Sequence, residues 1–434
     1  MTAVDWEAVT GEAVDILSQY VRIQSVNPPG DETSAARFLA DVLARDGIES
    51  TTYDAGNNRV NLAATLPGRD GLKPLTLLNH TDVVPVQEEY WSVEPFSGMV
   101  RDGQVWGRGA LDMKGMGVME LLAMLLLKRQ GIPLKRPLVF LAVADEEAGG
   151  AWGIEWLDQH HREVLDAEWV INEGSYGFLD LLGQDRPVFA FCPAEKTPLW
   201  LTLRARGPAG HGSVPRRDSA PVKLTRALAR INDWQRETRI LPVMEGFFSG
   251  LERNGILPSS TGPRDVPAVA AKNPSIGAMT SDTISLTTST YGVKINVIPA
   301  LAEATLDCRL LPDREPDEFI AELRRVIDDE SVEIETIFVS PSGLSDMEGE
   351  LVASMRSVTR ELVEDSVLVP LISPGFTDSR TFRRRGIAAY GFVPALLRPE
   401  ELATFHGHDE RISIENLKLG TQVLYELALR LCGP

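Results

Sequence analysis

Five short islands of this sequence each carry a side chain that can bind a transition metal, and they are spread over most of the chain. They read L-N-H-T-D at His80 to Asp82, G-R-G-A-L-D-M-K-G around Asp112, A-D-E-E at Glu146 and Glu147, I-N-E-G-S at Glu173, and F-H-G-H-D-E at His406 and His408. Imidazoles and carboxylates are the usual zinc ligands of hydrolytic sites. Two histidines, one aspartate to share, two liganding glutamates and one spare glutamate suit a pair of zinc ions bridged by water. The expected chemistry is metal-dependent hydrolysis.

Each island also has a plainer reading. His80 can be a turn histidine beside an aspartate, and Asp112, ahead of a helix start, is placed like an N-cap. Adjacent glutamates are commonly solvated loop residues, although at the mouth of a sheet they repel and raise each other's pKa unless a cation is present. Glu173 alone says little, and either His406 or His408 can serve as a ligand. The set outweighs its members, because His80, Glu146–Glu147 and Glu173 all follow apolar runs that read as strands. The carboxyl edge of an open α/β sheet is where such folds gather their sites.

The elements that must hold these side chains alternate over the first 190 residues. Leu75 to Leu78 and Pro137 to Ala144 are almost wholly apolar, as strands buried on both faces are. Trp169 to Asn172 is a further strand. Helical spacing runs from Glu32 to Arg45, ending at Gly47, and from Met113 to Arg129, closed by Gly131 and Pro133. This pattern predicts an α/β domain with a mainly parallel sheet. The character changes near Pro193. Leu199 to Arg206 alternates like a half-wet strand, and Ile284 to Ser289, Val293 to Val297, Leu301 to Arg309 and Val332 to Phe338 read as more strands. Helices are expected at Ala220 to Trp234 and Glu315 to Ile327. The Pro-, Gly- and Ser-rich stretch from Leu241 to Ser281 yields no fold from its pattern and reads as a surface insertion. After Ser340 the α/β style returns, with helices at Glu350 to Val363 and Ile414 to Leu431 and a strand at Ile387 to Phe392. The expected organisation is a catalytic domain from residues 1–195 and 340–434, with a smaller α+β domain, residues 196–339, inserted between.

Bulk properties narrow the class. The chain has 434 residues, 43% of them hydrophobic, and a formal net charge of −19, which argues against nucleic acid and anionic membranes as partners. Cys192, Cys308 and Cys432 are odd in number and far apart, and read as reduced thiols of a cytoplasmic protein. The opening M-T-A-V-D-W-E-A-V-T lacks the pattern of a signal peptide. The mainly apolar run Met119 to Leu127, interrupted by Glu120, falls well short of the roughly 20 residues needed to span a bilayer.

The sequence resembles the di-zinc exopeptidase and deacylase family of aminoacylase, acetylornithine deacetylase, succinyl-diaminopimelate desuccinylase, glutamate carboxypeptidase and the dinuclear dipeptidases. The matching segments are H-T-D-V-V-P from His80, G-R-G-A-L-D-M-K-G from Gly107, D-E-E from Asp145, N-E-G from Asn172, G-P-A-G-H-G-S from Gly207, N-V-I-P from Asn296 and H-G-H-D-E from His406. The resemblance implies a zinc-exopeptidase-like catalytic domain with an inserted lid and dimerisation domain. It implies two Zn2+ per subunit, with Co2+ or Mn2+ as substitutes. Asp112 would bridge them, His80 and Glu173 would complete one site, and Glu147 and His406 the other; His406 is preferred to His408 by its distance from Glu410. Asp82 would orient His80, Glu146 would be the general base, and His211 would stabilise the oxyanion, often from the partner subunit of a homodimer. Asn296, Arg309, Arg380, Gly375 and Thr377 would contact substrate, an arginine being suited to a free carboxylate. Glutamate rather than aspartate at Glu173 looks like the deacylase members. The expected activity is therefore hydrolysis of N-acyl amino acids, with a carboxypeptidase or dipeptidase as the alternative and a non-catalytic binding module as a third reading.

Overall fold

The strands Leu75–His80 and Leu138–Val143 are buried at every position and lie side by side in parallel register, Leu75 beside Leu138 and His80 beside Val143. Their side chains alternate between two cores, as a period of two requires. Leu75, Leu77, Leu138, Phe140 and Ala142 join one cluster; Leu78, Val139, Leu141 and Val143 join another on the opposite face. The first face is covered by the helices Trp6–Val21, Thr33–Arg45, Lys114–Arg129, Glu350–Leu362 and Ile414–Cys432. The second is covered by Ile154–His160 and Ser379–Arg384. This is the expected α/β architecture, seen in a computed structural model that describes residues 3–183, 186–257, 268–269 and 273–434.

The central sheet runs in the order Ser50–Gly56, Arg59–Leu66, Leu138–Val143, Leu75–His80, Trp169–Asn172, Ala388–Gly391, Val188–Glu195, with Val367–Ser373 and the short Gly177–Phe178 also pairing with Val188–Glu195. The four strands at its middle are mutually parallel. An antiparallel hairpin, Ser50–Leu66, closes one edge.

A second sheet is antiparallel, in the order Thr283–Thr290, Leu301–Leu310, Thr197–Arg206, Val332–Val339. Leu199, Leu201, Leu203 and Ala205 turn inward against the helices Ala220–Asp233 and Pro316–Ile327. The strand expected over Val293 to Val297 is reduced to Val297–Ile298, which pairs with Gly210–His211; Val293 and Ile295 are fully exposed. Alternating apolar residues there have no core to enter. Of the stretch from Leu241 to Ser281, residues 258–267 and 270–272 lie outside the described residues. The rest is no loose surface insertion: the helix Pro242–Arg253 packs Val243, Met244, Phe247 and Leu251 on Val367, Val369 and Leu371 of the first sheet.

Candidate metal centre

Three neighbouring parallel strands end at one edge, and the candidate ligands stand where they end. His80 is the last residue of its strand, Glu173 follows Trp169–Asn172 directly, and Glu146 begins a short turn after Leu138–Val143. The peptide at Asp145 makes that turn in the left-handed region, φ +67°, which aspartate tolerates better than most residues. Asp112 does not cap the helix Lys114–Arg129, as its plainer reading allowed; Met113 takes the cap position. The Asp112 carboxylate instead lies between two imidazoles, 3.1 Å from His80 Nε2 and 2.7 Å from His406 Nε2. Glu173 approaches His80 Nε2 at 3.5 Å, and Glu147 approaches His406 Nε2 at 3.5 Å. Two triads result, His80–Asp112–Glu173 and Asp112–Glu147–His406, with Asp112 common to both. His408 takes no part; its ring packs on Tyr90.

The electrostatics suit cations. Burial, reinforced by Asp112, raises the Glu147 carboxyl to about 7, and burial with neighbouring acids holds Glu146 and Glu173 well above the usual range. Burial opposes charge on both histidines, yet hydrogen bonds to Asp112 and to Asp82 or Glu147 raise His80 and bring His406 up to about 10. Glu146 Oε1 and Glu147 Oε1 are buried without a hydrogen-bond partner. So dense a set of oxygen and nitrogen donors sharing one aspartate fits two divalent ions, which invert this pKa pattern by their own charge.

Beside the centre opens a cavity of about 440 Å³, lined by Glu146 and Glu173 and also by Trp200 and Arg309 of the second sheet. Gly375 and Thr377 line it as well, Thr377 donating from its backbone and hydroxyl to the buried Glu195 at 3.1 and 2.9 Å. Arg309 is held by Asp307, which accepts from Nε at 2.7 Å and from Nη2 at 3.0 Å. Arg380, expected at the substrate, does not line this cavity: it is fully buried and donates to the carbonyls of Thr377 and Gly149, both at 2.7 Å. His211 and Asn296 are brought together by the pairing of Gly210–His211 with Val297–Ile298, but both are exposed and neither lines the cavity.

Residues 76–430 match peptidase family M20/M25/M40. The chain belongs to that family. It is 30% identical over 428 residues to aminoacylase-1 of Sus scrofa, covering 96% of this chain and 95% of that protein. It is also 30% identical over 389 residues to the N-fatty-acyl-amino acid synthase/hydrolase PM20D1 of Mus musculus, covering 83% and 75%. An M20 family metallo-carboxypeptidase from Sulfolobus solfataricus shares the fold, with a TM-score of 0.74 at 18% identity over 96% of this chain and 98% of that one. This M20 chain is thus a metal-dependent amidohydrolase.

Around the two triads lies a buried layer that sequence reading passed over. Asn27 donates to Asp82 Oδ2 at 2.8 Å and to Asp145 at 3.0 Å, and its own oxygen accepts from Arg59 at 2.9 Å; Arg59 is paired with the buried Glu32 at 2.5 Å. Opposite, Glu410 accepts the backbone N–H groups of Leu111 and Asp112 at 2.8 and 3.0 Å while Arg108 pairs with it at 2.5 Å. Glu410 had a signal, as the last residue of H-G-H-D-E. Asn27 and Arg59 had none, being ordinary polar residues far from any ligand in sequence.

Proposed function

We propose that this M20 hydrolase cleaves the amide bond of N-acyl amino acids, releasing a carboxylic acid and a free amino acid. The observation that carries the reading is two ligand triads sharing Asp112, with the unpartnered Glu146 beside them at the wall of a cavity that also holds Arg309. His80, Asp112 and Glu173 would hold one divalent ion and Asp112, Glu147 and His406 the other. Zinc is the default and cobalt or manganese are substitutes; the pair supplies Lewis acidity and a water of lowered pKa. Glu146 acts as the general base, taking a proton from the attacking water and returning it to the leaving nitrogen. His80 Nδ1 meets the backbone carbonyl of Asp82 at 3.0 Å and its carboxylate at 3.5 Å, and the two together fix the ring. Arg309 meets the substrate carboxylate with the edge of its guanidinium that Asp307 leaves free.

Residues 1–195 and 340–434 form the catalytic part and 196–339 the lid, through which the chain forms a homodimer in the cytoplasm. The strand Thr283–Thr290 supports the dimer: it is an edge strand, mostly exposed, close in sequence to the exposed Val293 and Ile295. Edges of this kind invite pairing. His211 would then reach the oxyanion of the partner's site. No helix among the described residues is long and apolar enough to cross a membrane.

A panel of N-acyl amino acids and dipeptides, assayed with zinc and with chelator, tests the activity. Chelator should abolish turnover. Ready cleavage of dipeptides with N-acyl amino acids left untouched would establish the peptidase alternative instead. Glu146→Ala should lower kcat by about 10²- to 10⁴-fold, the usual weight of general-base catalysis, with metal content unchanged. Unchanged rates would remove Glu146 from the mechanism.

A further inference from the structure

We infer that the cavity beside the metal centre is an acyl-chain chamber, and that Met279 on the short helix Pro274–Met279 sets how long an apolar acyl group this enzyme prefers. The inference rests on the amide-hydrolase reading above and assigns the two halves of its substrate.

Seven side chains lining the cavity carry ionisable groups, and five of them, Asp112, Glu146, Glu147, Glu173 and His406, belong to the metal centre. The other two are the phenol of Tyr176 and Arg309, the cation among the lining residues outside that centre. The carboxylate half of an N-acyl amino acid must therefore lie toward Arg309, which sits under Phe376 with its guanidinium 4.9 Å from the ring. The acyl half faces what remains. The apolar part of that surface is Phe178, Met279, Leu371, Leu402 and Phe405, none of which offers a partner to a charged or strongly polar group; hydroxyl side chains such as Ser275 and Ser373 line the same cavity. A cavity of about 440 Å³ is within the usual range of roughly 300–1,000 Å³ for small-molecule sites. An acetyl group would leave most of it unfilled.

The wall is unequal in its anchoring. Leu371 belongs to the strand Val367–Ser373, and Phe178 ends the short strand Gly177–Phe178, so both are tied into the sheet. Met279 is half-buried at the end of a six-residue helix capped by Asn273, which accepts from the N–H groups of Ser275 and Ile276 at 3.1 and 3.3 Å. That helix packs Ile276 into the same core as Leu371. Met279 is the flexible thioether of the lining, the kind of side chain that fits itself to apolar groups of different length.

The test is kcat/KM of the zinc-loaded protein on one amino acid carrying acyl groups from acetyl to dodecanoyl. Each added methylene should raise kcat/KM by about two- to fourfold until the chamber is full. Met279→Asp should lower the dodecanoyl-to-acetyl ratio at least tenfold, and Met279→Trp should move the optimum to shorter chains. No rise with acyl length in the wild type, or an equal loss at both lengths in Met279→Asp, would overturn the inference while leaving the amide-hydrolase reading intact. Calorimetric titration with N-alkylsulfonyl glycines of rising length keeps the chamber testable without turnover. Affinity should climb with length in the wild type and not in Met279→Asp; a flat series in the wild type would count against the chamber even if no acyl amino acid were cleaved.

Discussion

Asp82 shows how much of this centre hangs on a single carboxylate that touches no metal position itself. It accepts from the backbone of Glu146 at 3.2 Å, the backbone of Glu147 at 3.1 Å and the side chain of Asn27 at 2.8 Å, while facing His80 Nδ1. A ligand of one triad, a ligand of the other and the proposed base are therefore aligned through one residue. Replacing it by alanine takes the carboxylate away from the His80 ring, whose Nδ1 keeps only the Asp82 backbone carbonyl at 3.0 Å, and frees the 145–147 turn. Asp82→Ala is expected to weaken metal binding or turnover by about 10- to 100-fold, the usual weight of such orienting groups. Competition with a chromophoric chelator measures it, and an unchanged metal affinity with unchanged turnover would reduce Asp82 to a bystander. Sequence reading reached Asp82 because it stands two residues from His80. It could not reach Asn27, whose contact spans 55 positions and whose residue type is ordinary in turns.

At the scale of elements, the loops that carry the two triads need backbones to pass very close to one another. A Cβ on Gly391 would stand 2.7 Å from the carbonyl oxygen of Glu173 and 2.8 Å from Gly174 Cα, so the strand Ala388–Gly391 can lie against the loop that carries Glu173 only with glycine there. Gly391→Ala should push Glu173 out of the His80–Asp112 triad. Loss of one of two metal equivalents by elemental analysis, with the fold intact by circular dichroism, is the expected result; two equivalents bound as in the wild type would show that the loop gives way without cost. The same packing explains what the sequence hid. The helix Pro242–Arg253 carries Gly246 and Gly250, which read as loop residues. A Cβ on Gly246 would lie 2.9 Å from Pro370 Cγ, and one on Gly250 2.8 Å from Val369 Cγ1. They are the smooth face by which the helix meets the strand Val367–Ser373. That strand and Val188–Glu195 were missed because each carries an internal proline, Pro370 and Pro193, which in a sequence argues against a strand inside a sheet. Trp169–Asn172, in contrast, was read at its observed bounds, and the helix Lys114–Arg129 within one residue, because glycines and a proline mark where that helix must stop.

The whole molecule poses the question of where the oxyanion donor comes from. His211 is exposed and does not line the cavity of its own chain, although the second sheet that supports it also supplies Trp200 and Arg309 to that cavity. Ser213 binds His211 Nδ1 through its hydroxyl at 2.8 Å and its backbone N–H at 3.2 Å, which leaves Nε2 as the atom able to donate outward. If the twofold proposed above seats that nitrogen in the neighbouring site, each active site draws Glu146 from one chain and His211 from the other. Glu146→Ala and His211→Ala homodimers should then each be nearly inactive. Unfolding, mixing in equal amounts and refolding them would place the intact Glu146 and the intact His211 in one composite site of each mixed dimer. Half of the dimers would be mixed and half of their sites complete, so activity should return to about a quarter of the wild-type value. A donor acting within its own chain leaves every site of the mixture one residue short. Activity that stayed at the level of the separate variants, in a sample shown by light scattering to be dimeric, would put His211 back in its own subunit and require the lid to close on the chain that carries it.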